Sequence, residues 1–136
     1  MKTIITFGVF DMLHFGHVLL FKHAREICKD EACRLVVAVQ RSETVTKYKP
    51  EANLVYNTYE RVLMVESIRY VDEVVVYDDV DIDIQKYEFD IWACGGDQKH
   101  SGFQRARLWC QEHGKEVVVM KRTEGISSTQ LRSNKN

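Results

Sequence analysis

Five short apolar runs rich in β-branched residues, at positions 3–7, 35–39, 74–77, 91–94 and 117–120, alternate with stretches of helical periodicity. The helical patterns cover 17–28, 59–69, a weak stretch near 82–87, 103–113, and a last one that begins at Ser128. Strands that are continuously apolar, instead of alternating with polar residues, are buried on both faces. The expectation is therefore an α/β fold: a doubly wound, five-stranded parallel sheet with helices on both faces. Capping signals support the helix starts. Asn57-x-x-Glu60, Ser101-x-x-Gln104 and Ser127-x-x-Gln130 match or approximate capping boxes, and Gly114 follows the fourth helix. Residues 41–55 hold the only proline, Pro50, show neither period, and are expected to form an ordered surface loop.

With 136 residues, the chain is expected to form one domain spanning 1–136, large enough to bury a core without disulfides or metals. Its 19 Lys and Arg against 20 Asp and Glu leave a net charge of −1. That balance argues against a nucleic-acid module driven by a general basic field, so any phosphate site must be local. The four cysteines, Cys28, Cys33, Cys94 and Cys110, form no Cys-x-x-Cys pair and read as reduced packing residues. There is no charged-then-apolar leader and no membrane-length apolar run, so a soluble cytoplasmic protein is expected, with no membrane partner.

The chemistry concentrates where strands end. After the first apolar run comes Gly8-Val9-Phe10-Asp11-Met12-Leu13-His14-Phe15-Gly16-His17. A helix that starts behind a strand offers unpaired N–H groups and partial positive charge to an anion. Gly8 allows a sharp turn, Gly16 removes a Cβ that would hold a phosphate away, and the i, i+3 spacing sets both imidazoles on one helical face. A lone histidine in that place would more often be a cap, but the whole constellation points to phosphate.

Three further segments are expected at the same sheet edge. Lys47-x-Lys49, in an extended stretch, would aim both ammonium groups one way, although paired surface lysines are often just solvated. In Cys94-Gly95-Gly96-Asp97-Gln98 the glycines let backbone approach a ligand, and Asp97 is placed to accept from a sugar hydroxyl; a plain turn explains the segment about as well. The third, Arg122-Thr123-Glu124-Gly125-Ile126-Ser127-Ser128-Thr129, puts an arginine and three hydroxyls before a helix, a second anion cradle facing the first.

These segments resemble the cytidylyltransferase family of small nucleotidyltransferases over essentially the whole chain. The resemblance is carried by Gly-x-Phe-Asp-x-x-His-x-Gly-His at 8–17, Arg69-Tyr-Val-Asp-Glu-Val at 69–74, and the segment from Arg122. The first motif fits adenylyl- and cytidylyltransferases alike, and the other two favour CTP. The resemblance implies a Rossmann-like nucleotidyltransferase fold, with His14, His17, Lys47 and Arg122 carrying catalysis. It implies a nucleotide held by Gly8, Val9, Phe10, Gly16, Lys49, Arg61, Asp97, Thr123, Gly125, Ile126, Ser127, Ser128 and Thr129. Lys47, Asp11 and Lys99 are assigned to the acceptor. The expected reaction moves CMP from CTP to a small alcohol phosphate, glycerol 3-phosphate first. Magnesium is expected to be bound mainly through CTP phosphates, without a protein metal site, in a homodimer.

The family lysine expected soon after the third strand gives way here to Asp78-Asp79-Val80-Asp81-Ile82-Asp83, and Gly96 to His100 replace an acidic-aromatic continuation. An amino-alcohol phosphate such as phosphoethanolamine is the alternative acceptor that the acidic run suggests, though an exposed acidic loop is commoner. An adenylyltransferase acting on a flavin or pantetheine phosphate, or a nucleotide-binding module without turnover, are the other readings.

Overall fold

The structure, a computed structural model, describes residues 1–29, 32–96 and 98–120. The helix expected from Ser128 lies outside them. All five expected strands form. They are β1 (Lys2–Gly8), β2 (Cys33–Gln40), β3 (Glu73–Tyr77), β4 (Ile91–Gly95) and β5 (Glu116–Met120), every pair parallel, in the order β3-β2-β1-β4-β5. Between them run α1 (Phe15–Arg25), α2 (Ser42–Tyr48), α3 (Thr58–Glu66), α4 (Val80–Asp83) with a 3-10 turn at Ile84–Lys86, and α5 (Ser101–Glu112).

Each inner strand feeds two cores, which is why its run is apolar without alternation. Ile4, Leu35, Val37, Val39, Ile91 and Ala93 pack on one face with Phe21 and Ala24 of α1 and Val65 of α3. Ile5, Phe7, Val36, Ala38, Trp92 and Cys94 face the other side, with Val80, Ile84, Phe103, Ala106 and Cys110. Helices cover both faces, as expected. Cys33, Cys94 and Cys110 are buried, and Cys28 is partly buried. No helix among the described residues is long and apolar enough to cross a membrane.

Two local expectations are corrected. The segment expected to be loop contains α2, with Thr44 and Val45 buried. Its β-branched run, Thr44-Val45-Thr46, lowers helix propensity and hides the pattern. The first-turn N–H of Ser42 is satisfied from another element, by Thr58 Oγ1 at 2.9 Å. The cap of α5 is also shifted. His100, not Ser101, is the N-cap, its Nδ1 accepting from Gly102 N–H at 3.1 Å, while Gln104 donates to Lys99 O. The Asn57–Glu60 capping box forms as expected. Gly114, at φ +69, ends α5, and Lys115 N–H reaches back to Cys110 O in a Schellman closure.

The motif at 69–74 lies at the amino edge of the sheet. Asp72 accepts from Leu35 N–H and from Arg25, Arg25 also donates to Tyr70 O, and Glu73 pairs with Arg34. These bonds lock α1 and β2 to β3, at the sheet edge opposite the strand ends that carry the histidines.

Candidate active site

Because all five strands run the same way, the loops after β1, β2, β3 and β4 gather at one edge. The strand order reverses between β1 and β4, where a doubly wound sheet opens a crevice.

His14 and His17 stand at that crevice, at the start of α1. His14 is the N-cap: its Nδ1 accepts from Gly16 N–H at 3.0 Å, and His17 Nδ1 accepts from His14 N–H at 3.2 Å. The cap reading and the phosphate reading are thus compatible, since the cap uses one nitrogen of each ring. An Nδ1 that accepts leaves the proton of a neutral imidazole on Nε2, so both rings are fixed as Nε2–H donors. Their rings stack, centroids 3.9 Å apart and 24° between planes, which sets the two donors side by side. Gly16 N–H is spent on the cap. An anion at this helix start would therefore meet imidazole donors more than bare helix amides.

The loop in front is tightly built. Phe10 and Met12 both have left-handed backbones, φ 55 and 50, which non-glycine residues adopt at a cost. Phe10 turns inward, 7% exposed, against His17 (5.6 Å, edge-on) and Phe21 (5.2 Å). Its side chain therefore supports His17, and only its backbone is left for a nucleotide. Gly8 has a different reason from the turn that was expected: a Cβ there would lie 2.7 Å from Phe10 Cζ.

Asp11 and Arg61 both bond to backbone groups of neighbouring loops. Asp11, expected at the acceptor, accepts from Val55 N–H (2.8 Å) and Tyr56 N–H (3.0 Å), tying the loop before α3 to the β1 loop. Arg61, expected at the nucleotide, is fully buried. Its Nε donates to Tyr56 O, one terminal nitrogen to both Val9 O (2.9 Å) and Gln40 O (2.7 Å), and the other to Ser42 Oγ (2.7 Å). A planar fork of donors suits that job, and it welds three crevice loops together. Burial pulls its pKa down from the usual guanidinium range.

Lys47 and Lys49 do not share an extended stretch. Lys47 is in the last turn of α2, its ammonium 5.4 Å from the Tyr48 ring centre, and Lys49 is the C-cap. The charge of Lys49 is nevertheless felt at the start of α5. Burial first, then the charge of Lys49, holds His100 below its usual pKa, with Arg105 and Arg107 adding to the effect and Asp81 opposing it. Lys99 is exposed on the β4–α5 loop.

The acidic run is occupied internally. Asp78 accepts from Thr44 (2.5 Å) and Arg41 (3.0 Å), the Thr44 bond foremost in lowering its pKa. Asp79 accepts from Tyr48, Asp81 pairs with Arg105, and Asp83 accepts from Asp78 N–H and pairs with Lys86. These carboxylates join α2, α4 and α5 to the sheet. The expected site residues Asp97, Arg122, Thr123, Gly125, Ile126, Ser127, Ser128 and Thr129 lie outside the described residues.

Sequence reasoning passed over Arg107, whose guanidinium supports the β4–α5 loop, and His100 as a cap. The signal for His100 was present: His100-x-Gly102 repeats the His14-x-Gly16 spacing.

Comparison with known proteins agrees with this architecture. Residues 5–134 match the family described as Cytidylyltransferase-like. A glycerol-3-phosphate cytidylyltransferase from Staphylococcus aureus is 35% identical over 97% of this chain and 93% of its own. An FAD synthase from Aciduliprofundum boonei is 36% identical over 89% of this chain and 78% of its own. Among solved structures, a lipopolysaccharide core biosynthesis protein from Thermoplasma volcanium superposes with a TM-score of 0.70 at 22% identity, covering 90% of this chain and 97% of that one.

Proposed function

The chain belongs to the cytidylyltransferase-like family of nucleotidyltransferases, and from that premise we propose that it transfers CMP from CTP to glycerol 3-phosphate, giving CDP-glycerol and pyrophosphate. The observation that carries the chemistry is the paired cap, which holds His14 and His17 as two adjacent Nε2–H donors at the strand-end crevice. The acceptor rests on the relative covered nearly end to end, a glycerol-3-phosphate cytidylyltransferase.

In this reading a phosphate oxygen of the acceptor attacks the α-phosphorus of CTP in line. The bond to the α,β-bridging oxygen breaks, and its electron pair leaves with pyrophosphate. A phosphate monoester has a second pKa near about 6, so its oxygen is already anionic at neutral pH and needs no general base. The protein positions the reactants and stabilises charge where it accumulates. His14 and His17 donate to the triphosphate oxygens as negative charge moves toward the leaving group. Lys47, Lys49 and Arg122 add positive charge around them, Lys99 serves the acceptor, and Asp97 takes the ribose. Phosphates over α1 leave the nucleoside to extend past the split toward the β4–α5 loop.

Among the described residues no three metal-ligating side chains gather, and both Asp11 oxygens are bonded to backbone N–H groups. A magnesium ion carried by the triphosphate and water would neutralise phosphate charge there.

The FAD synthase relative supports a second reading, an adenylyltransferase acting on a flavin phosphate. Pyrophosphate release measured for CTP and ATP, each with glycerol 3-phosphate, phosphoethanolamine and flavin mononucleotide, separates the two. Turnover with CTP and glycerol 3-phosphate is expected, and His14→Ala should lower it on the order of 10²-fold or more. Release with ATP alone, or an unimpaired His14→Ala, overturns the reading.

A further inference from the structure

β1 and β4 pair only at Ile4 with Ile91 and Ile5 with Trp92, so the two strands part before their carboxyl ends. Among the described residues, the side chain of Gln98 crosses the gap. Gln98 Nε2–H donates to Phe7 O at 2.7 Å, while its Oε1 accepts from Gly95 N–H at 3.2 Å. The glutamine amide stands where ladder hydrogen bonds would otherwise run. It reaches β1 one residue before Gly8, and Arg61 holds Val9 O two residues further on from the other side.

The glutamine is itself held. Arg107 of α5 donates to Gln98 O at 3.0 Å and to Cys94 Sγ at 3.1 Å, and Gln104 donates to the next carbonyl, Lys99 O, at 2.9 Å. Two successive carbonyls of the loop are therefore fastened to α5, and the glutamine side chain fastens the same loop to β1.

We propose that Gln98, locked by Arg107, is a positioning residue that spans the split between β1 and β4 and sets the distance from the phosphate cradle at α1 to the nucleoside-facing loop after β4. The inference rests on the proposed function for which part of the nucleotide lies on which side. A nucleoside triphosphate must touch both sides, whereas inorganic pyrophosphate needs only the cradle. The clamp is thus read in the ratio of two affinities, which a loss of overall stability would not change.

Gln98→Glu keeps the acceptor for Gly95 N–H and loses the donor to Phe7 O. In calorimetry it should weaken CTP binding roughly tenfold or more while leaving pyrophosphate within about twofold, because a small misplacement between two halves of a site is costly. Arg107→Lys, whose ammonium sits on a flexible stem without the rigid plane of the guanidinium, should show the same selectivity more weakly, and it carries the test if Gln98→Glu lacks a cooperative unfolding transition. Equal losses for CTP and pyrophosphate, or no loss for either, overturn the clamp. Pyrophosphate release by the wild type reads the proposed function separately: a wild type that binds and turns over ATP instead refutes that function, and the same ratio taken with ATP still decides the clamp.

Discussion

Replacing Arg61 by methionine should be among the most damaging single changes to this protein. The substitution keeps most of the side-chain volume and removes a guanidinium that bonds Val9 O, Gln40 O, Tyr56 O and Ser42 Oγ. Ser42 Oγ keeps a second partner in Thr58 Oγ1, but the three carbonyls lose a charged donor inside a fully buried site. Taking a charge out of the interior relieves a desolvation cost, which offsets part of the loss. The orphaned acceptors remain, at about 1–3 kcal/mol each, and partial hydration brings the net to about 3–5 kcal/mol. Arg61→Lys retains the charge without the fork and should recover only part of this. Urea unfolding followed by circular dichroism gives the difference directly. A methionine variant within about 1 kcal/mol of wild type would show that the loops hold each other without the arginine, as some buried ionic groups prove dispensable.

Gly8→Ala should destabilise by about 1–3 kcal/mol, because the new methyl meets the Phe10 ring at 2.7 Å and that ring is wedged against His17 and Phe21; an unchanged melting temperature would refute the packing account. For His100 the folded pKa is lowered, so as pH falls through about 6.5 the unfolded chain takes up the proton first and stability declines until the folded state titrates too. His100→Asn, which can still cap α5, should flatten that slope in urea midpoints measured from pH 8 to 5, and an unaltered slope would remove burial and Lys49 as its cause.

The strands were legible because burial on both faces forces an unbroken apolar run, and five such runs have few arrangements. The histidine spacing was legible because caps are local: four residues, His14 to His17, contain the whole geometry. What escaped depends on elements far apart in sequence. α2 begins with an N–H satisfied by Thr58, 16 residues on, against the preference of its own β-branched residues. Asp11 and Arg61 stand at positions where a ligand is easily imagined, yet the partners that claim them, Val55, Tyr56, Val9 and Gln40, come from other loops. A residue's type announces how it can bond, and only the fold decides with what.

His14 caps α1 through Gly16, and His100 caps α5 through Gly102, by the same bond at nearly the same length. In each, the capping ring lies against the residue at the third helical position, His17 in one case and Phe103 in the other, with ring centres 3.9 and 4.2 Å apart. The cap is therefore an ordinary piece of helix construction that this fold uses twice, on neighbouring strands. The two copies differ by a single residue one turn in: an imidazole there doubles the donors, and a phenyl ring turns the same scaffold into hydrophobic packing.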